Sequence, residues 1–448
     1  MRTPVLALLA ALAVTAEARA DGPATDAATA KEVEAASLDA AYQDLMGEAP
    51  GTPYADRLDG TLSALGDLAD DAAPRRGRFR LPSGMQAWED WKARFREDTG
   101  IAIGGSLGAL WQNYSDPSLG QDDAAGYKLT INLSKAIINA GRPDALTLDI
   151  ALESRGAIDT PLPPLQGGIA AGNMVPTAAT WGQFDFGVTQ FYLRQNLFDN
   201  RVQWAVGKLF APNFVNAYPF FDDNRQFLNQ NFSTSPTIAS ALRGFGATAL
   251  VYPTEGGLYV QGGIYTANSE DTGATIDNFL NIPEYFTSLE IGWSGLARTG
   301  TPIQARGPMD ANNVHVTFWH KDAQPDAASI FQPEMQGVAF NANFMVSDNL
   351  MWFVRGGMSD NWVTEQALSA GFGYRPGAAP ADLFGMGLGW TSPANDALSD
   401  SVVFETFYRY MLTPNFAITP DLQLIANPSL APNADTQVVV GLRGRVTF

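Results

Sequence analysis

The chain has 448 residues and a formal net charge of −19, and 46% of its residues are hydrophobic although the mean hydropathy is only −0.08. It contains no cysteine, which excludes a disulfide framework, thiolate chemistry and a cysteine-ligated metal. The acidic balance argues against nucleic acid as a partner, because phosphate binding needs a basic footprint.

The N-terminus reads as a secretory signal peptide. Arg2 precedes an apolar run from Val5 to Val14, and Ala18-Arg19-Ala20 is a small-x-small cleavage site. Cleavage after Ala20 leaves a mature start at Asp21. The run is too short to span a bilayer of roughly 30 Å.

Residues 21–84 form an acidic extension. Twelve acids between 21 and 74 face only Lys31 and Arg57. Leu38, Tyr42, Leu45 and Met46 share helical spacing, as do Leu58, Leu62 and Leu65, and Pro50, Pro53 and Pro74 interrupt the stretch. The pattern predicts two short amphipathic helices or a partly disordered tail, on the periplasmic side. Residues 85–98 predict one more helix with Trp88, Trp91 and Phe95 on one face, packed at the periplasmic mouth or entering the lumen.

From residue 101 the period changes to two. Sixteen strands are predicted, at 101–113, 126–138, 145–155, 186–196, 201–209, 243–252, 257–267, 286–294, 313–321, 335–345, 350–358, 364–374, 382–391, 402–412, 416–425 and 436–448. Alternation is plainest in Leu146/Leu148/Ile150/Leu152, Val314/Val316/Phe318 and Phe384/Met386/Leu388/Trp390. Such strands give many apolar residues and no apolar run, so a membrane barrel escapes hydropathy windows. In hydrocarbon every backbone amide must pair, so the sheet has to close. The predicted fold is all-β: a transmembrane antiparallel barrel of 16 strands over residues 85–448.

The connections fit this reading. Phe198-Asp199-Asn200, Pro253 to Gly256, Ser347-Asp348-Asn349 and Thr413-Pro414-Asn415 are short turns on one side. Residues 156–185, 210–242 and 268–285 are long loops on the other; 295–312 is longer than the rule prefers. An even strand count returns the C-terminus to the side of the N-terminus, predicted to be periplasmic. In the last strand Val438, Val440, Leu442, Val446 and Phe448 share one face, and Arg443, Arg445 and Thr447 the other.

Sixteen strands leave a water-filled channel, so inward positions are functional surface. The candidates are Asp149, Glu153 and Arg155, then Arg194, Arg355, Glu405, Arg409, Asp421, Gln423, Arg443 and Arg445. The loop 207–232 adds Asn213, Phe214, Asn216, Tyr218, Phe220, Phe221, Asp222, Asn224 and Arg225. Flat rings beside amide, carboxylate and guanidinium groups suit a sugar, with Phe220 or Phe221 as stacking platform and Arg225, Asp222 or Asn224 as hydroxyl partners. The alternative is a loop packed on the wall through its own aromatics.

Other chemistry finds little support. His315 and His320 fall on opposite strand faces and cannot share a metal. No hydrolase motif, phosphate loop or cofactor motif is present, and Gly385, Gly387 and Gly389 on one strand face relieve crowding rather than bind a nucleotide.

The segments YLRQNLFDNRVQWAVGKL (192–209), FFDDNRQFLNQNF (220–232), LMWFVRGGMSDN (350–361) and FETFYRYMLTPNFAITPDLQLIANP (404–428), with the final GLRGRVTF, resemble the carbohydrate-selective porin family of the OprB type. The resemblance covers about residues 85–448. It implies a sixteen-stranded bacterial outer-membrane barrel passing glucose and related sugars, with no enzymatic step and no cofactor. The expected partners are small carbohydrates, outer-membrane lipid and the barrel-assembly machinery, with a homotrimer as candidate assembly. A general or anion-leaning porin and a barrel serving as surface anchor or adhesin are the alternatives.

Overall fold

The computed structural model describes residues 54–60, 62–72, 77–273, 276–295, 312–324, 332–347, 349–376 and 382–448. The signal peptide and the helix expected around 38–46 lie outside these residues.

The sixteen strands are β1 Ile101–Tyr114, β2 Asp123–Ile138, β3 Leu146–Ala157, β4 Phe184–Leu197, β5 Val202–Phe210, β6 Arg243–Val251, β7 Leu258–Thr266 and β8 Tyr285–Ser294, followed by β9 Asn313–Lys321, β10 Met335–Ser347, β11 Leu350–Asp360, β12 Thr364–Tyr374, β13 Leu383–Pro393, β14 Ser401–Thr413, β15 Phe416–Ala426 and β16 Thr436–Thr447. Each pairs antiparallel with its chain neighbours, and β1 pairs with β16 from Ser106↔Thr447 to Tyr114↔Val439, closing the barrel. No strand edge is left open, as hydrocarbon demands.

Facing follows the alternation. In β9, Asn313, His315, Thr317 and Trp319 are buried inward while Val314, Val316 and Phe318 are exposed. The two histidines therefore point to opposite faces. The same apolar exterior is carried by Leu289, Ile291, Trp352, Val354, Leu388 and Val440.

Short connections at 198–201 and 414–415 mark one end of the barrel, here the turn end. Long connections at 158–183, 211–242 and 267–284 mark the loop end. One loop-end connection, 361–363, is shorter than expected.

The C-terminal residue completes the seam. Phe448 and Gly105 exchange both backbone hydrogen bonds at 2.9 Å, and a Cβ on Gly105 would meet the Phe448 ring at 2.9 Å. The ring thus covers a glycine on the lipid face. Phe448→Asp sets a charge against lipid there, at up to a few kcal/mol depending on depth. We expect a clear fall in the yield of folded, heat-modifiable barrel in vesicles; wild-type yield would show that the terminal ring does not secure closure.

The N-terminal region departs from expectation. Helix α1 covers Ala64–Ala72, so of Leu58, Leu62 and Leu65 only Leu65 falls within it, and Leu58 lies in an irregular stretch. Residues 54–60 and 62–72 lie inside the barrel, bonded to its inward side chains, rather than outside it as expected. Helix α2, Ser83–Thr99, matches the helix expected at 85–98, with Trp88 stacked on Trp91 at 4.7 Å and Trp91 on Phe95 at 5.1 Å. Gly100 ends it in the left-handed region (φ 69°), its N–H donating to Arg96 O, and the chain enters β1.

Candidate functional site

The lumen is packed rather than open. Inward side chains that a water-filled channel would wet, among them Lys208, Tyr259, Glu405 and Arg443, are fully buried. This corrects the expectation of a continuous aqueous pore, for three segments fill the interior.

The first is the third loop, 211–242, which folds inward from the loop end. Its rings form the fastening. Phe227 lies 5.9 Å from Phe220, 5.1 Å from Phe232, 5.7 Å from Phe353 and 4.9 Å from Phe407. The wall makes room with glycine: a Cβ on Gly373 would meet the Phe220 ring at 2.3 Å, and one on Gly387 the Phe232 ring at 2.7 Å. The β13 glycines do relieve crowding. Gly373→Val should overpack this floor by about 1–3 kcal/mol, read as a lower midpoint for loss of the folded, heat-modifiable band.

Phe220 and Phe221 are therefore buried and cannot serve as stacking platforms for a sugar. Phe214 packs edge-on against Tyr192 at 6.0 Å. Of the two readings of this loop, packing through its own aromatics is the one its rings adopt.

Polar groups secure the loop as well. Glu405 accepts from the Leu228 and Asn229 amides at 2.6 and 3.0 Å, and Gln423 accepts from Asn229 Nδ2 at 3.0 Å. Arg443 donates to the carbonyls of Asp223 and Gln226 at 2.5 and 2.8 Å. Arg355 donates to Ser233 O and Asn216 Oδ1, both at 2.9 Å, and lies 4.0 Å over the Tyr218 ring. These strand residues hold backbone and amides; they do not form a free wet lining.

The second segment is the loop 158–183, carrying the short helix α3, Pro164–Ala170. Thr180 N donates to Asp223 Oδ2 at 2.6 Å, and Trp181 Nε1 to Asp223 O at 3.3 Å. Arg155 pairs with Glu153, its Nε donating to Glu153 Oε2 at 2.9 Å, and reaches Thr180 O at 2.5 Å. Asp149 is buried on the same strand, accepting from Thr147 Oγ1 at 2.6 Å.

The third segment is the N-terminal strap, 54–60 and 62–72, and its part was not anticipated. Gln203 Oε1 accepts from the amides of Arg57 and Leu58 at 2.9 Å, and Gln261 Nε2 donates to Leu58 O at 3.0 Å. Arg57 donates to Asn313 Oδ1 at 2.7 Å, and Gly60 N to Asn213 O at 2.7 Å. Arg194 pairs with Asp56 and, at 3.2 Å, with Asp59.

Across the barrel, α1 meets two more arginines. Asp71 bridges Arg225 Nη2 (3.0 Å) and Arg445 (2.9 and 2.8 Å), and Asp67 pairs with Arg225 and accepts from Asn132 Nδ2 at 2.6 Å. Arg225 also pairs with Asp222. Burial pushes the Asp222 carboxyl up, but Arg225 and Arg445 hold it below its ordinary value. Asp67 goes the other way: burial, with Asp71 and Asp222 beside it, raises it against the pull of the same arginines.

Beside this cluster a crevice remains toward the turn end. It is lined by Asn224, Arg225, Arg409, Thr419, Arg445 and Thr447, with Met411, Asn415 and Ala417. It brings together four sequence candidates, Asn224, Arg225, Arg409 and Arg445; the other candidates are packed in the three filling segments or on the wall beneath them. The strap was missed because its Ala-Asp composition reads as a solvated tail. The usable signal was charge complementarity between that acidic stretch and the inward arginines.

A family profile described as carbohydrate-selective porin, OprB family, matches residues 129–448. Among solved structures, the chain is similar to the high-pH structure of Pseudomonas putida OprB, at 15% identity and a TM-score of 0.64, covering 84% of this chain and 99% of that one. The low-pH structure of the same protein gives 14% identity and a TM-score of 0.47, over 84% and 100%. A variant of the Rh. blastica porin gives 13% and 0.43, over 78% and 100%. No curated protein matches the chain.

Proposed function

Because the chain belongs to the OprB family of carbohydrate-selective porins, a family of outer-membrane channels, we propose that it passes small carbohydrates such as glucose by passive diffusion. The family match carries this reading, and the charged and amide-rich interior of the barrel supports it: a polar solute crossing hydrocarbon needs hydrogen-bond partners in place of water. The proposed contact surface is the crevice, where Asn224, Thr419 and Thr447 meet hydroxyls and Arg225, Arg409 and Arg445 donate to ring and hydroxyl oxygens. Weak, multi-site hydrogen bonding suits throughput, since a tight site would block.

In this reading residues 1–20 are removed, both termini face the periplasm, and the barrel-assembly machinery inserts the chain, with a homotrimer as the working assembly. An anion-leaning channel is the second reading, favoured by the three arginines at the crevice. Reversal potentials in asymmetric salt, with current block by glucose, separate the two. Weak ion selectivity with glucose block supports the sugar channel; strong anion selectivity without block supports the second reading.

A further inference from the structure

We propose that Arg225 and Arg445 form a carboxylate site for an acidic sugar, and that the strap, residues 54–60 and 62–72, is its built-in occupant, keeping the channel shut until such a sugar displaces it. The inference deepens the reading of the barrel as a sugar channel and rests on it.

The seat is defined by its present occupant. One carboxylate, that of Asp71, bridges two guanidiniums with three contacts of 2.8–3.0 Å. Asn132 donates to the neighbouring Asp67. Both acids that pair with Arg445 come from the strap. Asp222 belongs to the third loop and stays with Arg225 when the strap leaves. Withdrawal therefore strips Arg445 of the two carboxylates in contact with it at a buried position and leaves it only the more distant Asp222, a costly state unless another carboxylate enters.

The crevice supplies the rest of a sugar site. Arg225 and Arg445 form part of its lining, and Asn224, Thr419 and Thr447 offer amide and hydroxyl groups beside them. A carboxylate on a ring bearing hydroxyls meets both requirements at once.

Ion pairs and hydrogen bonds to inward side chains and to Asn213 O hold the strap, together with the burial of Tyr54, Leu58, Leu65 and Leu68, and it adds no strand to the sheet. Beyond it, Arg78 pairs with Asp382 at 2.7 Å and lies 3.4 Å over the Tyr410 ring, while Phe79 N donates to Leu412 O at 2.8 Å. This anchor at the turn end keeps a released strap at high local concentration, so that it reseats when the solute passes.

The test uses the full mature chain in planar bilayers, with the heat-dependent gel shift confirming that the barrel is folded. Asp67→Asn with Asp71→Asn should lower the closed-to-open ratio on the order of a hundredfold, since a buried guanidinium has lost its partners. On the unaltered protein, sodium glucuronate should raise the open probability several-fold at concentrations where glucose leaves it unchanged. A folded double variant that gates like the wild type overturns the proposal, and so does glucuronate acting no better than glucose. Failure of the sugar-channel reading looks different: the double variant opens to ions but passes glucose no faster than an amino acid of similar size. In that event the plug stands and its displacement by a sugar is overturned.

Discussion

Phe227→Ala should unfasten the third loop while leaving the barrel standing. Phe227 is fully buried and its ring meets four others, two from the loop and two from β11 and β14. Truncating a buried Phe costs about 3–5 kcal/mol, through lost transfer energy and the cavity left behind. Little of that burden reaches the sheet, because strand pairing does not pass through the ring. The cost falls on the loop's docking, where Glu405 and Arg443 hold the backbone of 223–229. The expected readouts are protease cleavage within 211–242 and a raised, noisier single-channel current, with the gel shift of the folded barrel retained. An uncut loop and an unchanged current would show that the polar clamps suffice without the rings.

Val316→Arg should be the most damaging single change on the exterior. Val316 points outward in mid-β9, opposite Ile291 of β8 and Phe340 of β10, with Phe318 two residues on. An arginine at the bilayer midplane of a barrel costs roughly 2–4 kcal/mol, falling to about 0–1 near the interfaces. His320 lies on the same face near the loop end of the strand, where it meets Glu334 at 2.7 Å. His320→Arg should therefore be nearly neutral. Folding into vesicles under a urea titration reads both. Equal effects would mean that the outward face of β9 does not sit at graded depth in lipid.

The barrel was legible in the sequence because its physics is local and repetitive. A strand between lipid and lumen must alternate, and turns such as Phe198-Asp199-Asn200 must accept left-handed backbone; all three of these residues have φ between 53° and 69°. Sixteen strands follow from these two rules, with ends displaced by up to three residues. The interior was harder. Inward facing at Glu405, Arg443 and Gln423 could be read from parity, yet their partners on the third loop lie 176–220 residues away, and no periodic signal records such pairings.

Phe220 and Phe221 show the ambiguity at its sharpest. Rings beside amides and carboxylates describe a sugar platform and a buried fastening equally well. What decides between them is the glycine opposite, Gly373 for Phe220, and pairing register rather than composition brings it there. The strap was the least legible element. Asp56, Asp59, Asp67 and Asp71 look like solvated acids until Arg194, Arg225 and Arg445 are placed around them.

This barrel should pass sugars in preference to other small solutes. Liposome swelling with glucose, a disaccharide and an amino acid of glucose size tests it most directly, on the wild type and on the Asp67→Asn, Asp71→Asn variant in parallel. Glucose should enter the variant's vesicles fastest, the disaccharide more slowly and the amino acid slowest, with the same order at lower rates in the wild type. Amino-acid entry as fast as glucose entry in both proteins would contradict it.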